Sequence, residues 1–260
     1  MKAALIQLRV SDLETAAERW MSVEHILAQL EGEAIDLIVL PELWAVGYSN
    51  FNEYLMQAEP LQGITVSRMI PWARKLHSNI LTGSFIEQMA GKYYNTSVMV
   101  DANGFLLGKY RKIHLFGYQS KEKELLTAGK QTSVMYTSFG IVGVATCYDL
   151  RFPEQFRCMT DAGATMFAVS AAWPQNRLED WQMFCRVRAM ENQSFLLACN
   201  HVGVCGGVTG AGHSMIISPD GTVLAQAGNK EQVLIVDIDM NDVYRYRRQF
   251  PVLHDRVTLD

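Results

Sequence analysis

Cys147 closes an uncharged run of β-branched and small residues, Ile141 to Thr146, whose composition suits a strand buried on both faces. Pro153 fits the first turn of a helix, where a missing N–H costs nothing, so the chain turns from strand into helix just after Cys147. A thiol on such a bend is held rigidly while facing the cleft above a sheet edge. The free N–H groups of the turn lie near it and can stabilise a developing oxyanion. That suits a nucleophile, although a small core hydrophobe is the other reading of a buried cysteine and this stretch alone does not choose.

Two more ionisable groups stand at element ends. Asp36 to Leu40 is a short apolar strand running straight into Pro41 and Glu42. Tyr93 to Val100 and Phe105 to Arg111 pair as a hairpin through the Asn-Gly turn Asp101-Ala102-Asn103-Gly104, and Lys112 follows at its far end, opening a polar loop that runs to Gly129. A thiol, a lysine and a carboxylate can cooperate without histidine, because a buried carboxylate with a raised pKa takes a thiol proton and later returns it. His114 lacks the local signature of papain-like enzymes and reads as structural.

Other chemistries find less support. The stretch Gly203 to Gly212 lacks the ending of a phosphate loop, and Ser214 in G-H-S-M-I misses the last glycine of a nucleophile elbow. The six histidines form no pair at metal-ligand spacing, so neither a metal nor a cofactor is expected.

The elements that must position these groups read as an α/β chain. Residues 3–10 look like a strand, and Ser11 with Glu14 matches a capping box for a helix carrying Leu13, Ala16, Ala17, Trp20, Leu27 and Leu30 on one face. With the strand before Glu42 this makes a βαβ-type unit, in which ligands gather at the carboxyl ends of strands. A helix over Val66–His77 and a strand over Ile80–Ile86 precede the hairpin. After Cys147 come a helix from Pro153 to about Ala162, a strand Thr165–Ser170, and a helix Glu179–Asn192 with Leu178, Trp181, Cys185 and Ala189 facing inward. Strands follow at Phe195–Asn200, Ser214–Ser218, Thr222–Ala227 and Gln232–Ile238, while Arg247 to Asp260 shows no period. No repeat or linker divides residues 1–260, which read as a single domain.

Composition narrows the partners. Apolar residues make up 49% and charged ones 19% of 260 residues, an ordinary globular balance. With 23 basic and 27 acidic residues, a net charge of −4 and no long block of either sign, neither nucleic acid nor an anionic membrane is an expected partner. The N-terminal apolar run is broken by Gln7 and Arg9, and no apolar run long enough to span a bilayer follows. Five cysteines without C-x-x-C spacing fit neither a disulfide framework nor a zinc knuckle, and a soluble protein of the reducing cytoplasm is expected.

L-P-E-L-W around Glu42, Y-R-K-I-H-L-F around Lys112 and C-Y-D-L-R-F-P-E from Cys147 together resemble the three motif blocks of the nitrilase superfamily of carbon–nitrogen hydrolases. R-A-M-E-N at Arg188 to Asn192, G-H-S at Gly212 to Ser214 and the Pro219-Asp220-Gly221 turn spread the likeness over nearly the whole chain. The resemblance implies a four-layer α-β-β-α sandwich, with Cys147 as nucleophile, Glu42 as general base and later acid, and Lys112 as the cation facing the tetrahedral intermediate. It also implies a second glutamate after the lysine: Glu122, which stands in E-x-x-x-L-x-x-G ending at Gly129, is preferred to its neighbour Glu124. Chemically, the Tyr148 backbone N–H joins Lys112 at the oxyanion.

S-A-A-W-P-Q-N-R-L-E-D-W from Ser170 and the closing F-P-V-L-H-D-R look most like the bacterial ω-amidase branch, which deamidates 2-oxo acids bearing a terminal amide. Deaminated-glutathione amidase, N-carbamoyl hydrolase and nitrilase activities are the alternatives within the superfamily, and a non-catalytic binding module on the same fold is the alternative outside it. For the substrate carboxylate the chain offers Arg177, with Arg151 a second candidate that reads better as an ion-pair partner. The resemblance also implies a homodimer or higher homo-oligomer, with the apolar tail Phe250 to Leu253, within residues 247–260, at its interface.

Overall fold

The computed structural model describes residues 1–257. It begins with β1 (Lys2–Gln7), α1 (Ala16–Gln29) and β2 (Leu37–Val39), in which β1 and β2 run parallel with Ala3 opposite Leu37. There follow α2 (Ile64–Leu76), β3 (Asn79–Leu81), β4 (Phe85–Met89), β5 (Lys92–Val100), β6 (Leu106–Arg111) and the one-turn α3 (Glu122–Leu125). The second half runs β7 (Ser133–Thr137), β8 (Gly140–Thr146), α4 (Pro153–Asp161), β9 (Met166–Ser170), α5 (Leu178–Asn192) and β10 (Phe195–Cys199). It closes with β11 (Val204–Cys205), β12 (Val208–Thr209), β13 (Met215–Ile217), β14 (Val223–Gln226), β15 (Gln232–Asp237) and α6 (Asn241–Gln249).

Seven strands form one sheet in the order β15-β1-β2-β3-β5-β4, with β6 also paired to β5, and six form a second in the order β14-β13-β10-β9-β8-β7. The layering follows from the two-residue period of the strands, which are apolar on both faces. Ala4 and Ile6 of β1 pack with Val23 and Leu27 of α1 and Val66 and Met69 of α2. Their alternates Ala3 and Leu5 face the other sheet, where they join Val142 and Val144 of β8 and Met166 and Ala168 of β9. On the far side Phe167 and Val169 of β9 meet Phe156 of α4 and Trp181, Cys185 and Ala189 of α5. Helices, sheet, sheet and helices therefore make the expected α-β-β-α sandwich. No helix of the described residues is long and apolar enough to cross a membrane.

Four local expectations need correction. The capping box is Thr15 with Glu18, not Ser11 with Glu14: Thr15 N–H donates to Glu18 at 2.7 Å and Glu18 N–H to Thr15 Oγ1 at 3.2 Å. Ser11 lies in the connection before the helix, and Leu13 is 92% exposed rather than on the inward face. The strand expected over Ile80–Ile86 is broken at Gly83, whose φ of +75° and closeness to Pro41 leave no room for a side chain; a Cβ there would lie 2.1 Å from the Pro41 carbonyl oxygen. Finally, α6 runs through Arg247, where no periodic element was expected. It buries only Val243, so its apolar stripe is too narrow to register, and Arg247 pins it by donating to the carbonyls of Ala164, Asn192 and Gln193. The tail expected at an oligomer interface thus starts inside a helix; Phe250 is 57% exposed, and residues 258–260 lie outside the described residues.

Candidate active site

Strand ends from both sheets converge on one place. In the second sheet β8 and β9 run parallel, with Thr146 opposite Ser170, so Cys147 and Ala171 leave the sheet side by side. In the first sheet β2 delivers Glu42 and β6 delivers Lys112. Ser170 Oγ donates to the Leu40 carbonyl at 2.8 Å and Glu42 N–H to the Ala171 carbonyl at 3.3 Å, which ties the two sheets together at the site.

Cys147 opens a 3₁₀ turn, Cys147–Arg151, and Pro153 then starts α4 at its first turn, as expected. The nucleophile candidate itself has φ +48°, and Leu43, next to Glu42, has φ +44°. A left-handed non-glycine residue costs about 1–3 kcal/mol, and here both instances sit on the loops that aim the site's side chains. The Glu42 loop is braced by the segment that breaks the strand: Trp44 Nε1 donates to the Thr82 carbonyl at 2.9 Å and Leu43 N–H to Ser84 Oγ at 3.0 Å.

Lys112, whose side chain is 0% exposed, donates to Glu42 Oε1 at 2.8 Å and to both oxygens of Glu122 at 3.0 Å. Glu42 Oε2 accepts from Ala172 N–H at 3.0 Å. Glu122 Oε2 accepts from Phe116 N–H at 2.7 Å and Tyr48 Oη at 3.2 Å. Glu122 is thus the acid on Lys112, while Glu124 lies exposed on the other side of the short α3. Tyr148 follows the nucleophile in the first turn, where N–H groups lack an intrahelical acceptor.

Sequence reasoning missed Asn95. It sits in β5 beside Lys112, and its Nδ2 donates to Glu42 Oε1 at 2.8 Å and to Glu122 Oε1 at 3.0 Å, so one amide holds two carboxylates apart. The available signal was a lone amide inside Y-Y-N-T-S, in a strand that is buried from Tyr94 onward. Tyr48, whose ring lies 5.4 Å from the ammonium, was missed as well.

Burial dominates the electrostatics. It raises the Glu42 carboxyl above its usual range, and the Lys112 ammonium offsets only part of this. Burial works against charge on Lys112, but Glu122 and Glu42 outweigh it and hold the ammonium well above its ordinary pKa. Burial and then the Glu42 charge push the Cys147 thiol well up. The resting site therefore pairs a neutral thiol with a carboxylate poised to accept its proton and a permanently charged lysine. Asn95→Leu removes a donor that favours the ionised form of Glu42. The acid limb of kcat/KM should move to higher pH and kcat fall about 10–100-fold, whereas an unshifted pH–rate profile would make Asn95 incidental.

Above Cys147 opens a cavity of about 680 Å³, walled by Tyr48, Tyr118, Trp173 and the β11–β12 hairpin, with Arg151 and Arg177 on its lining. The arginines differ. Arg151 is held by Asp180 at 2.6 Å with its guanidinium over Phe184, whereas Arg177 reaches the same carboxylate only at 3.9 Å. Other sequence candidates are structural. His114 is bound to Asp149, Ser214 Oγ donates to Gln7 Oε1 at 2.8 Å deep in the core, and the glycines after Gly203 shape the cavity wall.

Residues 2–248 match the carbon–nitrogen hydrolase family. The chain is a member of that family. Among its carbon–nitrogen hydrolase relatives, a 2-oxoglutaramate amidase of Paenarthrobacter nicotinovorans is 35% identical over 98% of this chain and 89% of its own. A 2-oxoglutaramate amidase of Bacillus subtilis is 36% identical over 86% of both. A crystal structure of a CN-hydrolase superfamily protein from Xanthomonas campestris, carrying an arsenic adduct in its active site, superposes with a TM-score of 0.89 at 26% identity, covering 100% of this chain and 98% of that one. The carbon–nitrogen hydrolase is thus an enzyme acting on amide C–N bonds, in the nitrilase-superfamily fold.

Proposed function

We propose that this carbon–nitrogen hydrolase is an ω-amidase, cleaving the terminal carboxamide of a small 2-oxo acid such as 2-oxoglutaramate through a thioester on Cys147. The observation that carries the reading is the buried carboxylate of Glu42, 2.8 Å from the Lys112 ammonium, on a residue tied through its N–H to Ala171, which leaves its sheet beside Cys147. Glu42 takes the thiol proton as sulfur attacks the amide carbon. The carbonyl oxygen becomes an oxyanion facing Lys112 and the Tyr148 N–H. Collapse breaks the C–N bond, and Glu42 passes its proton to the leaving nitrogen, which departs as ammonia. Water then attacks the thioester, giving one proton to Glu42; the C–S bond breaks, the acid leaves, and the proton returns to sulfur.

The substrate class rests on the two relatives and on Arg177, which keeps a loose contact with Asp180 and so has a guanidinium to offer a substrate carboxylate. Arg151, already held at 2.6 Å, serves the wall. Because the Arg177 side chain is 40% exposed, its pair with the substrate is solvent-screened, and Arg177→Met should raise KM for 2-oxoglutaramate about tenfold rather than several hundredfold. KM for an uncharged amide should stay within threefold. Equal losses on the two substrates would remove Arg177 from substrate binding, and a panel in which simple aliphatic amides outpace 2-oxo acid amides would remove the ω-amidase assignment.

A further inference from the structure

Lys112 and Cys147 belong to different sheets, yet the chemistry needs them fixed relative to each other. We propose that Asp149 is the positioning residue that sets this spacing, by binding the backbone on both sides of the gap at once. It is fully buried, and each of its oxygens accepts two hydrogen bonds. Oδ2 accepts the N–H of Thr146, the residue before the nucleophile, at 2.8 Å and the Tyr110 hydroxyl at 2.6 Å. Oδ1 accepts the N–H of His114 at 3.1 Å and its ring Nδ1 at 2.8 Å. Tyr110 and His114 flank Lys112 two residues to either side, so one carboxylate grips the lysine's segment and the nucleophile's bend together.

The surroundings reinforce the grip. Tyr110 Oη in turn accepts from Ile113 N–H at 3.0 Å and Gln155 Nε2 at 2.9 Å, which commits its proton to Asp149. Burial and the neighbouring Asp149 hold that hydroxyl well above its ordinary pKa, so it remains a donor. The imidazole of His114 lies flat on Phe152, 3.7 Å between ring centroids and 7° apart, which fixes the ring plane, and a carboxylate oxygen 2.8 Å from Nδ1 favours the tautomer with its proton there. None of these groups touches the cavity's reacting atoms through Asp149, which acts on the reaction only through Lys112 and Cys147.

One feature makes the role testable with an isosteric change. Each oxygen carries a backbone N–H, which cannot reverse its direction. In Asp149→Asn the amide NH₂ must therefore face either the Thr146 N–H or the His114 N–H, donor against donor, whichever way it turns. One side of the clamp is pushed away. The inference rests on the amidase reading only in that some amide is turned over, so the variants are assayed on an amide that the native enzyme hydrolyses; failure of the ω-amidase assignment then leaves this test intact.

Expected for Asp149→Asn is a kcat at least about 50-fold lower per folded molecule, with KM within threefold, because the cavity lining is untouched while the relative placement of lysine and sulfur is not. A kcat within threefold of native in the folded variant would overturn the proposal. Two further variants decide it if Asp149→Asn does not fold. His114→Ala removes the ring donor and should lower kcat about tenfold, whereas His114→Asn, whose Nδ2 can take the place of Nδ1, should recover kcat to within threefold of native. A role confined to stacking on Phe152 would leave the two His114 variants alike, and that result also overturns it.

Discussion

Cys147→Ala should lose about 10⁵-fold or more of amide hydrolysis while remaining folded. The native residue already occupies the left-handed conformation at φ +48°, so alanine meets the same backbone cost and adds none. Only a sulfur atom is lost, worth about 1 kcal/mol of packing at a site 9% exposed. Among the other candidates, Ser214 is spent on Gln7 and Asn200 in the core, Cys199 and Cys185 are buried with thiols pushed upward, and burial also raises the thiol of Cys205 on the cavity wall. Ammonia release measured beside a thermal melt checks both halves. A residual rate within a hundredfold of native, in protein free of native enzyme, would overturn the assignment of Cys147.

Glu42→Gln should cost about 10³–10⁴-fold in kcat, because an amide relays no proton in either half of the reaction. Geometry adds to the loss. One oxygen of Glu42 faces the Ala172 N–H and the other faces Lys112 and Asn95, all donors, so a glutamine NH₂ meets a donor in either orientation. The native pH profile carries the sign of the same carboxyl. Glu42 works as a base only when ionised, and burial raises its pKa, so kcat/KM should fall with decreasing pH along a limb centred above the ordinary carboxylate range. A limb within the ordinary range, or a Glu42→Gln variant with near-native turnover, would mean that another group, such as Glu122, accepts the thiol proton.

How much of this was legible in the chain depended on whether a residue's role is local. Glu42, Lys112 and Cys147 each follow an apolar or hairpin strand directly, and a strand that runs into a proline, a polar loop or a helix start marks its own end. The four layers were legible only through the family resemblance, since the strand and helix periods by themselves reach no further than the α/β class. The left-handed turns at Leu43 and Cys147 left no trace, because neither position carries the glycine that usually advertises one. Glu122 could be preferred to Glu124 only by resemblance to a family pattern, since burial separates two glutamates that the sequence presents alike.

Asn95 and Asp149 were invisible for a different reason. Apart from Thr146, which is local to Asp149, their partners lie far along the chain, Glu42 53 residues from Asn95 and Tyr110 39 residues from Asp149, and no helical or strand period records contacts over such distances. Each looks locally like a polar residue in the wrong place, an amide inside a buried strand and an acid just past a nucleophile. Such residues become intelligible only when the groups they bind are brought together. Arg177 was already preferred to Arg151 for a substrate carboxylate by the likeness of its stretch, and the structure adds their unequal contacts with Asp180, at 2.6 Å for Arg151 and 3.9 Å for Arg177.

The central claim is that catalysis passes through an acyl group on the Cys147 sulfur. Rapid acid quench during the first turnover of an amide substrate, followed by intact mass and peptide mapping, tests it most directly. The predicted result is an adduct of the substrate's mass less that of ammonia, on the peptide that contains Cys147, appearing together with the first ammonia released. Ammonia and acid formed at one rate with no adduct on that peptide, or an adduct on Cys158, Cys185, Cys199 or Cys205 instead, would contradict it.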